Sequence, residues 1–106
     1  MGSTPMYELQ YLPLFYDDLL ATVKYLSEVL HNPKAANKLI DDVENAILDR
    51  LPNAEAFEPF HSLKERRYPY YRIYVNNYIV YYVVIEHRIM EVRRLLYVGR
   101  NRDQIL

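Results

Sequence analysis

The chain has 106 residues, of which 51% are apolar and none is cysteine. That is enough for one packed domain of the commonest size. It excludes disulfides and thiolate metal sites, and it fits a reducing, cytoplasmic setting. No apolar run approaches the roughly 20 residues of a membrane span, and no signal-peptide pattern opens the chain. The net charge of −1 is divided: residues 1–60 carry four Lys/Arg against ten Asp/Glu, and residues 61–106 carry nine against four. The first part is therefore −6 and the second +5. A basic half points to a polyanion or an acidic partner, or to two elements with oppositely charged solvated faces.

Residues 1–5 read as a linker remnant ahead of Met6, so a single domain is expected over residues 6–106. Tyr7 to Leu12 alternates loosely and reads as a first strand. Pro13 breaks it and suits the first turn of a helix, with Asp17 and Asp18 near that helix's positive end. Phe15, Leu19, Val23, Leu26 and Leu30 recur at spacings of 4, 4, 3 and 4, one apolar stripe of an amphipathic helix. Asn32-Pro33 marks a second helix start, since Asn caps well and Pro is favoured at the next position. Ala36, Ile40, Val43, Ile47 and Leu51 give its apolar stripe, and Asp41, Asp42, Glu44, Asn45 and Asp49 its outer face. Leu51-Pro52 ends it. So short a link makes the two helices an antiparallel hairpin.

Asn53 to Arg67 has no clear period and reads as a crossing loop, a length often functional in a small domain. A sheet begins near Tyr70. Asn76-Asn77 is a two-residue hairpin signal, because Asn tolerates positive φ. That turn sets Val75 opposite Tyr78 and Tyr71 opposite Tyr82. Tyr71, Ile73, Val75, Tyr78, Val80, Tyr82 and Val84 then share the face expected to pack on the helices. Tyr70, Arg72, Tyr74, Ile79, Tyr81 and Val83 share the other, expected to be an open working face. Glu86-His87-Arg88 is the next turn, and Ile89 to Val98 the last strand. Simple alternation puts Met90, Val92, Arg94, Leu96 and Val98 on one side, with Glu91, Arg93, Leu95 and Tyr97 on the other. The expected fold class is α+β: strand, helical hairpin, then a three-stranded antiparallel meander completing one sheet.

The chemistry-bearing residues are mostly cations and tyrosines. His31, His61 and His87 are scattered without ligand spacing, so no metal site is expected. The chain has two glycines, so no phosphate-cradling glycine loop is expected either, nor any cofactor. Eight of the twelve tyrosines fall between Tyr68 and Tyr97. Strand propensity explains many of them, and Tyr71, Tyr78 and Tyr82 read as core. Tyr70, Tyr74, Tyr81 and Tyr97 are the better functional candidates. Lys64, Arg66 and Arg67 on the crossing loop are candidates to hold nucleic acid. Arg72, Arg93, Arg100 and Arg102 could converge near the open face. Arginine grips phosphate bidentately and stays charged, while tyrosine stacks on bases. Arginine is a poor base, so RNA cleavage here would need a further residue, with His61, Glu65 or a tyrosine as candidates.

From Met6 to Leu106 the chain resembles the RelE/ParE superfamily of toxins from type II toxin–antitoxin modules, the plasmid stabilisation type. The phrases that carry it are N-P-K-A-A-N-K-L-I at the helical turn, Y-P-Y-Y-R-I-Y-V, N-Y-I-V-Y-Y-V-V, and V-R-R-L-L-Y-V-G-R-N-R-D-Q-I-L at the end. The resemblance implies a cytoplasmic toxin with a cognate antitoxin partner, acidic and partly disordered, laid over the helices and sheet. It also implies one of two actions, the RelE-like one being the leading expectation, with a degenerate, non-toxic binding module of the same fold as a further alternative. RelE-like members are metal-independent endoribonucleases (mRNA interferases) that cut mRNA on the ribosome. ParE-like members poison DNA gyrase. Carried over, the RelE pattern makes Arg72 the match of a sheet lysine and Arg100 or Arg102 that of a tail arginine. The catalytic set so implied is Arg72, Tyr74, Tyr81, Tyr97, Arg100 and Arg102, with Lys64, Arg66, Arg67 and Arg93 binding nucleic acid. Tyr74 and Ile79 depart from the pattern at usually basic positions.

Overall fold

A computed structural model describes residues 7–59, 67–100 and 106. The order is β1 (Glu8–Tyr11), α1 (Pro13–Lys24), a π-helical turn (Tyr25–Val29), α2 (Pro33–Arg50), a 3₁₀ turn (Leu51–Asn53), β2 (Tyr71–Val75), β3 (Tyr78–Ile85) and β4 (Ile89–Tyr97). One sheet runs β1-β4-β3-β2; β1 pairs parallel to β4 and the other pairs are antiparallel. This is the expected α+β arrangement. The helical hairpin is the crossover that parallel pairing of β1 and β4 requires.

Local chemistry explains the element ends. Leu12 is extended and Pro13 opens α1. Asn32 caps α2, its Oδ1 accepting the Ala35 N–H at 3.1 Å, with Pro33 at the first helical position. Between the helices the backbone widens. The Leu30 N–H donates to the Tyr25 carbonyl at 3.1 Å, five residues back, and His31 turns left-handed at φ 51°. This extra residue per turn ends the α1 stripe early. Phe15 is buried and Leu19 and Leu26 pack on the core, but Leu30, expected inside, is exposed. On α2 the core row is Ala36, Leu39, Val43 and Ile47. Leu39 takes the inward place expected of Ile40, which turns toward α1 and solvent.

The Asn76-Asn77 register is as read, from Val75 opposite Tyr78 to Tyr71 opposite Tyr82, with Asn76 at φ 54°. Tyr71, Ile73, Val75, Val80, Tyr82 and Val84 pack against Phe15, Leu39, Val43 and Ile47. The opposite face corrects the expectation of an open surface. Ile79, Tyr81 and Val83 are fully buried there, in a second apolar layer with Tyr70, Leu96 and Leu106.

β4 also departs from simple alternation. Tyr82 pairs with Val92 but Tyr81 with Arg94, so Arg93 is an extra residue, a β-bulge. Past the bulge the parity flips: Met90, Val92 and Leu95 join the helix-side core, and Leu96 the opposite layer. Asp18 of α1 secures the bulge. Its carboxylate accepts from Arg94 Nε at 2.8 Å, from Arg94 Nη2 at 3.0 Å and from the Leu95 N–H at 3.0 Å. These hydrogen bonds hold the Arg94 guanidinium above its usual range, against the opposing pull of burial.

Two further polar clusters tie loops to the sheet. Tyr82 Oη donates to the Ala54 carbonyl at 2.7 Å and accepts from Arg50 Nη1 at 2.9 Å. The same Arg50 nitrogen reaches the Arg72 carbonyl at 3.1 Å, and its guanidinium sits 3.6 Å above the Phe57 ring. Glu55 accepts from the Tyr7 hydroxyl at 2.8 Å and pairs with His87 Nδ1 at 2.6 Å. That pairing braces a turn in which Glu86 and His87 both adopt φ 55°.

Two predictions follow from this framework. Asp18→Ala strands the largely buried Arg94 cation and the Leu95 N–H, and should cost about 3 kcal/mol in urea unfolding. Tyr11, Tyr71, Tyr78 and Tyr82 have their pKa raised above 10.0 chiefly by burial, and Tyr7 by its hydrogen bond to Glu55. A raised folded pKa contributes stability that is intact below the unfolded value and lost as pH climbs through the folded one. Stability should therefore fall above pH ~10, and these tyrosines should ionise at higher pH in the folded chain than in urea when absorbance near 295 nm is followed.

Candidate functional site

The end of the sheet bearing the β2–β3 turn holds an open cleft of about 670 Å³. Tyr25 of the π-helical turn and Leu30 just past it form one wall, Lys38 of α2 the second, and Asn76 of the turn with Tyr78 at the start of β3 the third. Tyr97 and Arg100 close it. Geometry puts them there in two steps. The bulge at Arg93 flips β4 so that Tyr97 pairs with Tyr78 on the helix side, their rings edge-on with centroids 5.8 Å apart. The chain then turns at Gly99, the Arg100 N–H donating to the Tyr97 carbonyl at 3.0 Å and the Val98 N–H to the Asn77 carbonyl at 2.9 Å. A Cβ at Gly99 would stand 2.9 Å from the Tyr97 ring, which would have to shift.

The electrostatics favour an anion at the rim. Arg100 makes no salt bridge among the described residues. Lys38 is paired with Asp42 at 2.8 Å, and Asn76 Nδ2 donates to the same carboxylate at 3.2 Å. Those two hydrogen bonds, Lys38's first, pull Asp42 below the usual carboxylate range. Burial first, then the neighbouring Tyr97 and Tyr25, push the Tyr78 hydroxyl up, so it stays neutral at pH 7. Among the described residues, the lining offers aromatic and apolar walls, amides and two cations, but no histidine and no carboxylate. Such a lining can grip and stack a ligand, and among the described residues it holds no base.

The sequence candidates divide accordingly. Tyr97 and Arg100 come together in this cleft. Arg72 and Tyr74 lie on the other face of the sheet, with the Arg72 guanidinium 5.8 Å from the centroid of the exposed Tyr74 ring. Tyr81, placed in the catalytic set, is fully buried between its neighbours and cannot meet a ligand from this state. Arg93 bonds Glu91 Oε1 at 2.8 Å and lies 5.9 Å from the Tyr70 ring. Burial pulls its guanidinium down, and the bonds to Glu91 and Tyr70 more than offset that. Arg67 sits at the far end of the sheet, 5.4 Å from the Tyr68 ring and 4.0 Å from Glu86. Lys64, Arg66 and Arg102 lie outside the described residues. Tyr25, Lys38 and Asn76 were not foreseen as cleft residues. Tyr25 stands off the α1 stripe, which is the one signal that could have marked it.

No family model matches the chain, and no curated protein sequence matches it. Solved structures do. A chain of the chromosomal ParDE toxin–antitoxin system from P. aeruginosa superposes with a TM-score of 0.70 at 16% identity, covering 89% of this chain and 98% of that one. A chain of the archaeal RelE–RelB complex from Pyrococcus horikoshii OT3 gives a TM-score of 0.52 at 17% identity, covering 90% and 98%. At these identities the likeness establishes the fold.

The Tyr97–Gly99 packing gives a direct test of the cleft. Gly99→Ala should swing the Tyr97 ring away from Tyr78 and weaken whatever the cleft does as much as Tyr97→Ala. Because the ring is exposed and free to move, the stability loss should stay below about 1 kcal/mol. Unfolding curves and the growth assay described next, run in parallel, check both halves.

Proposed function

We propose, from the RelE/ParE toxin fold this chain carries, that it is the toxin of a type II toxin–antitoxin module, held inactive by a cognate antitoxin. In both fold neighbours the solved assembly is a toxin–antitoxin system or complex. The same relation is proposed for this chain.

The observation that bears most on its action is the Tyr97–Arg100 cleft. It combines three tyrosines and apolar walls with a cation that makes no salt bridge among the described residues, and with no base among its described lining. Those features serve binding, so the favoured action is that of a ParE-like toxin, which poisons DNA gyrase by occupying it. A second reading, ribosome-dependent mRNA cleavage, rests on the opposite face. There Arg72 stands over Tyr74, a pairing suited to a phosphate beside a stacked base.

Induced expression without antitoxin, with pulse labelling of DNA and protein synthesis, separates the two. Gyrase poisoning stops DNA synthesis first, and Arg100→Ala should relieve growth arrest by at least ten-fold in surviving colonies, with Arg72→Ala near neutral. Ribosome-dependent cleavage stops translation first, cuts mRNA only with ribosomes present, and makes Arg72→Ala the more damaging change. Absence of any growth arrest would remove the toxin reading.

A further inference from the structure

The charge of the Tyr97–Arg100 cleft is set in part by a residue that does not line it. Lys38 and Arg100 are the two cations of its lining. Asp42 Oδ2 accepts from Lys38 Nζ at 2.8 Å and from Asn76 Nδ2 at 3.2 Å. Lys38 and Asn76 both line the cleft, so this carboxylate stands at the rim, one hydrogen bond behind two walls. The same bonds hold Asp42 below the usual carboxylate range and keep it ionised.

An exposed lysine–carboxylate pair is weak, and a strong anion could draw Lys38 off Asp42. The bond to Asn76 makes that swing immaterial to the net charge. It ties the carboxylate to the β2–β3 turn, where Asn76 is held at φ 54°. Whichever way Lys38 points, the negative charge remains at the rim. Over Lys38, Asp42 and Arg100 the rim therefore carries one net positive charge, not the two that the lining alone suggests. Around that charge the mouth is apolar: Tyr25 is 50%, Leu30 52% and Tyr97 52% exposed. Large apolar side chains gathered at one mouth mark a binding surface.

We propose that Asp42 tunes this cleft for an aromatic group bearing one negative charge, presented as an acidic side chain beside an aromatic one on the target protein, and against a phosphodiester chain. The inference rests on the reading of the cleft as the acting site and names the chemistry of that contact. A single carboxylate meets the Arg100 fork while the neighbouring ring lies against the tyrosines. A polyanion brings its second charge toward Asp42, and repulsion there offsets what Lys38 would gain. Asp42 is a positioning residue: it acts through Lys38 and Asn76 and by its own charge.

Three probes of similar shape test it on the full chain: naphthalene-1-sulfonamide, naphthalene-1-sulfonate and naphthalene-1,5-disulfonate, which are neutral, singly and doubly negative. Amide NMR shifts of Asn77, Tyr78 and Arg100 report occupancy of the cleft, and calorimetry gives affinity. The monosulfonate should bind at least about five-fold tighter than the sulfonamide, and the disulfonate within about two-fold of the monosulfonate. Arg100→Ala should erase the first margin. Asp42→Asn should raise disulfonate affinity about five- to ten-fold and monosulfonate affinity by less, a gain that shrinks at high salt. Lys38→Met combined with Asp42→Asn should return the disulfonate to near its wild-type affinity, which a purely structural role for Asp42 would not produce. A wild-type chain that prefers the disulfonate by about ten-fold or more, an Asp42→Asn chain with the wild-type ratio, or no shift at the cleft amides with any probe overturns the proposal. So does a trinucleotide that binds the cleft tighter than the monosulfonate, which would assign it to nucleic acid. Growth arrest is scored separately: its absence removes the toxin reading, while the probe ratios judge Asp42 alone.

Discussion

The carboxylate of Asp18 is the constraint on which the arrangement turns. It comes from the middle of α1 and satisfies both the side chain of Arg94 and the backbone of Leu95, at the point where β4 carries one residue too many. A bulge leaves a ladder donor without a strand partner, and a buried donor left unpaired costs free energy. Asp18 supplies that partner and fastens the first helix to a central strand. The half of β4 beyond it inherits the opposite facing. Leu95 enters the helix-side core, Leu96 the second layer, and Tyr97 arrives beside Tyr78. Without the extra residue Tyr97 would face the other way and the cleft would lack its closing wall.

This explains which parts could be read from the residues alone. The Asn32 cap, the Asn76 turn and the hairpin register are local, each set by a side chain within a few positions of the backbone it governs, and each appears as read. The family-like order of elements was likewise legible, because it follows from periodicity. The facing of β4 was not. Alternation is a rule with no memory of insertions, and nothing in V-R-R-L-L-Y announces that one of its arginines is supernumerary. The widened turn at Tyr25–Val29 escaped for the same reason: a smooth 4, 4, 3, 4 stripe conceals a change of helical pitch at its end. The working face was misjudged on different grounds. Tyrosine, isoleucine and valine on the second face were read around Arg72 as open, whereas Leu106, distant in sequence from that face, packs upon it and completes a second apolar layer.

The charge division of the chain acquires a spatial meaning. The acidic first part builds the hairpin and keeps its carboxylates on the outer surface of α2, while the basic second part supplies the sheet and its end. Not all of that basic charge is available. Arg93 and Arg94 are spent on Glu91 and Asp18, inside the structure rather than at its surface. Counting arginines in the second half therefore overstates the field a polyanion would meet.

Arg50 has a consequence of another kind. It lies at the end of α2 and donates to the Arg72 carbonyl of β2, a strand at the margin of the sheet. A margin strand offers its unpaired backbone groups to any extended chain that approaches, including the same strand of another molecule. Here a guanidinium, pinned above Phe57 and bonded to Tyr82, occupies one of those acceptors. The row of acceptors that edge-to-edge pairing of a tyrosine- and valine-rich strand would use is thereby interrupted at Arg72.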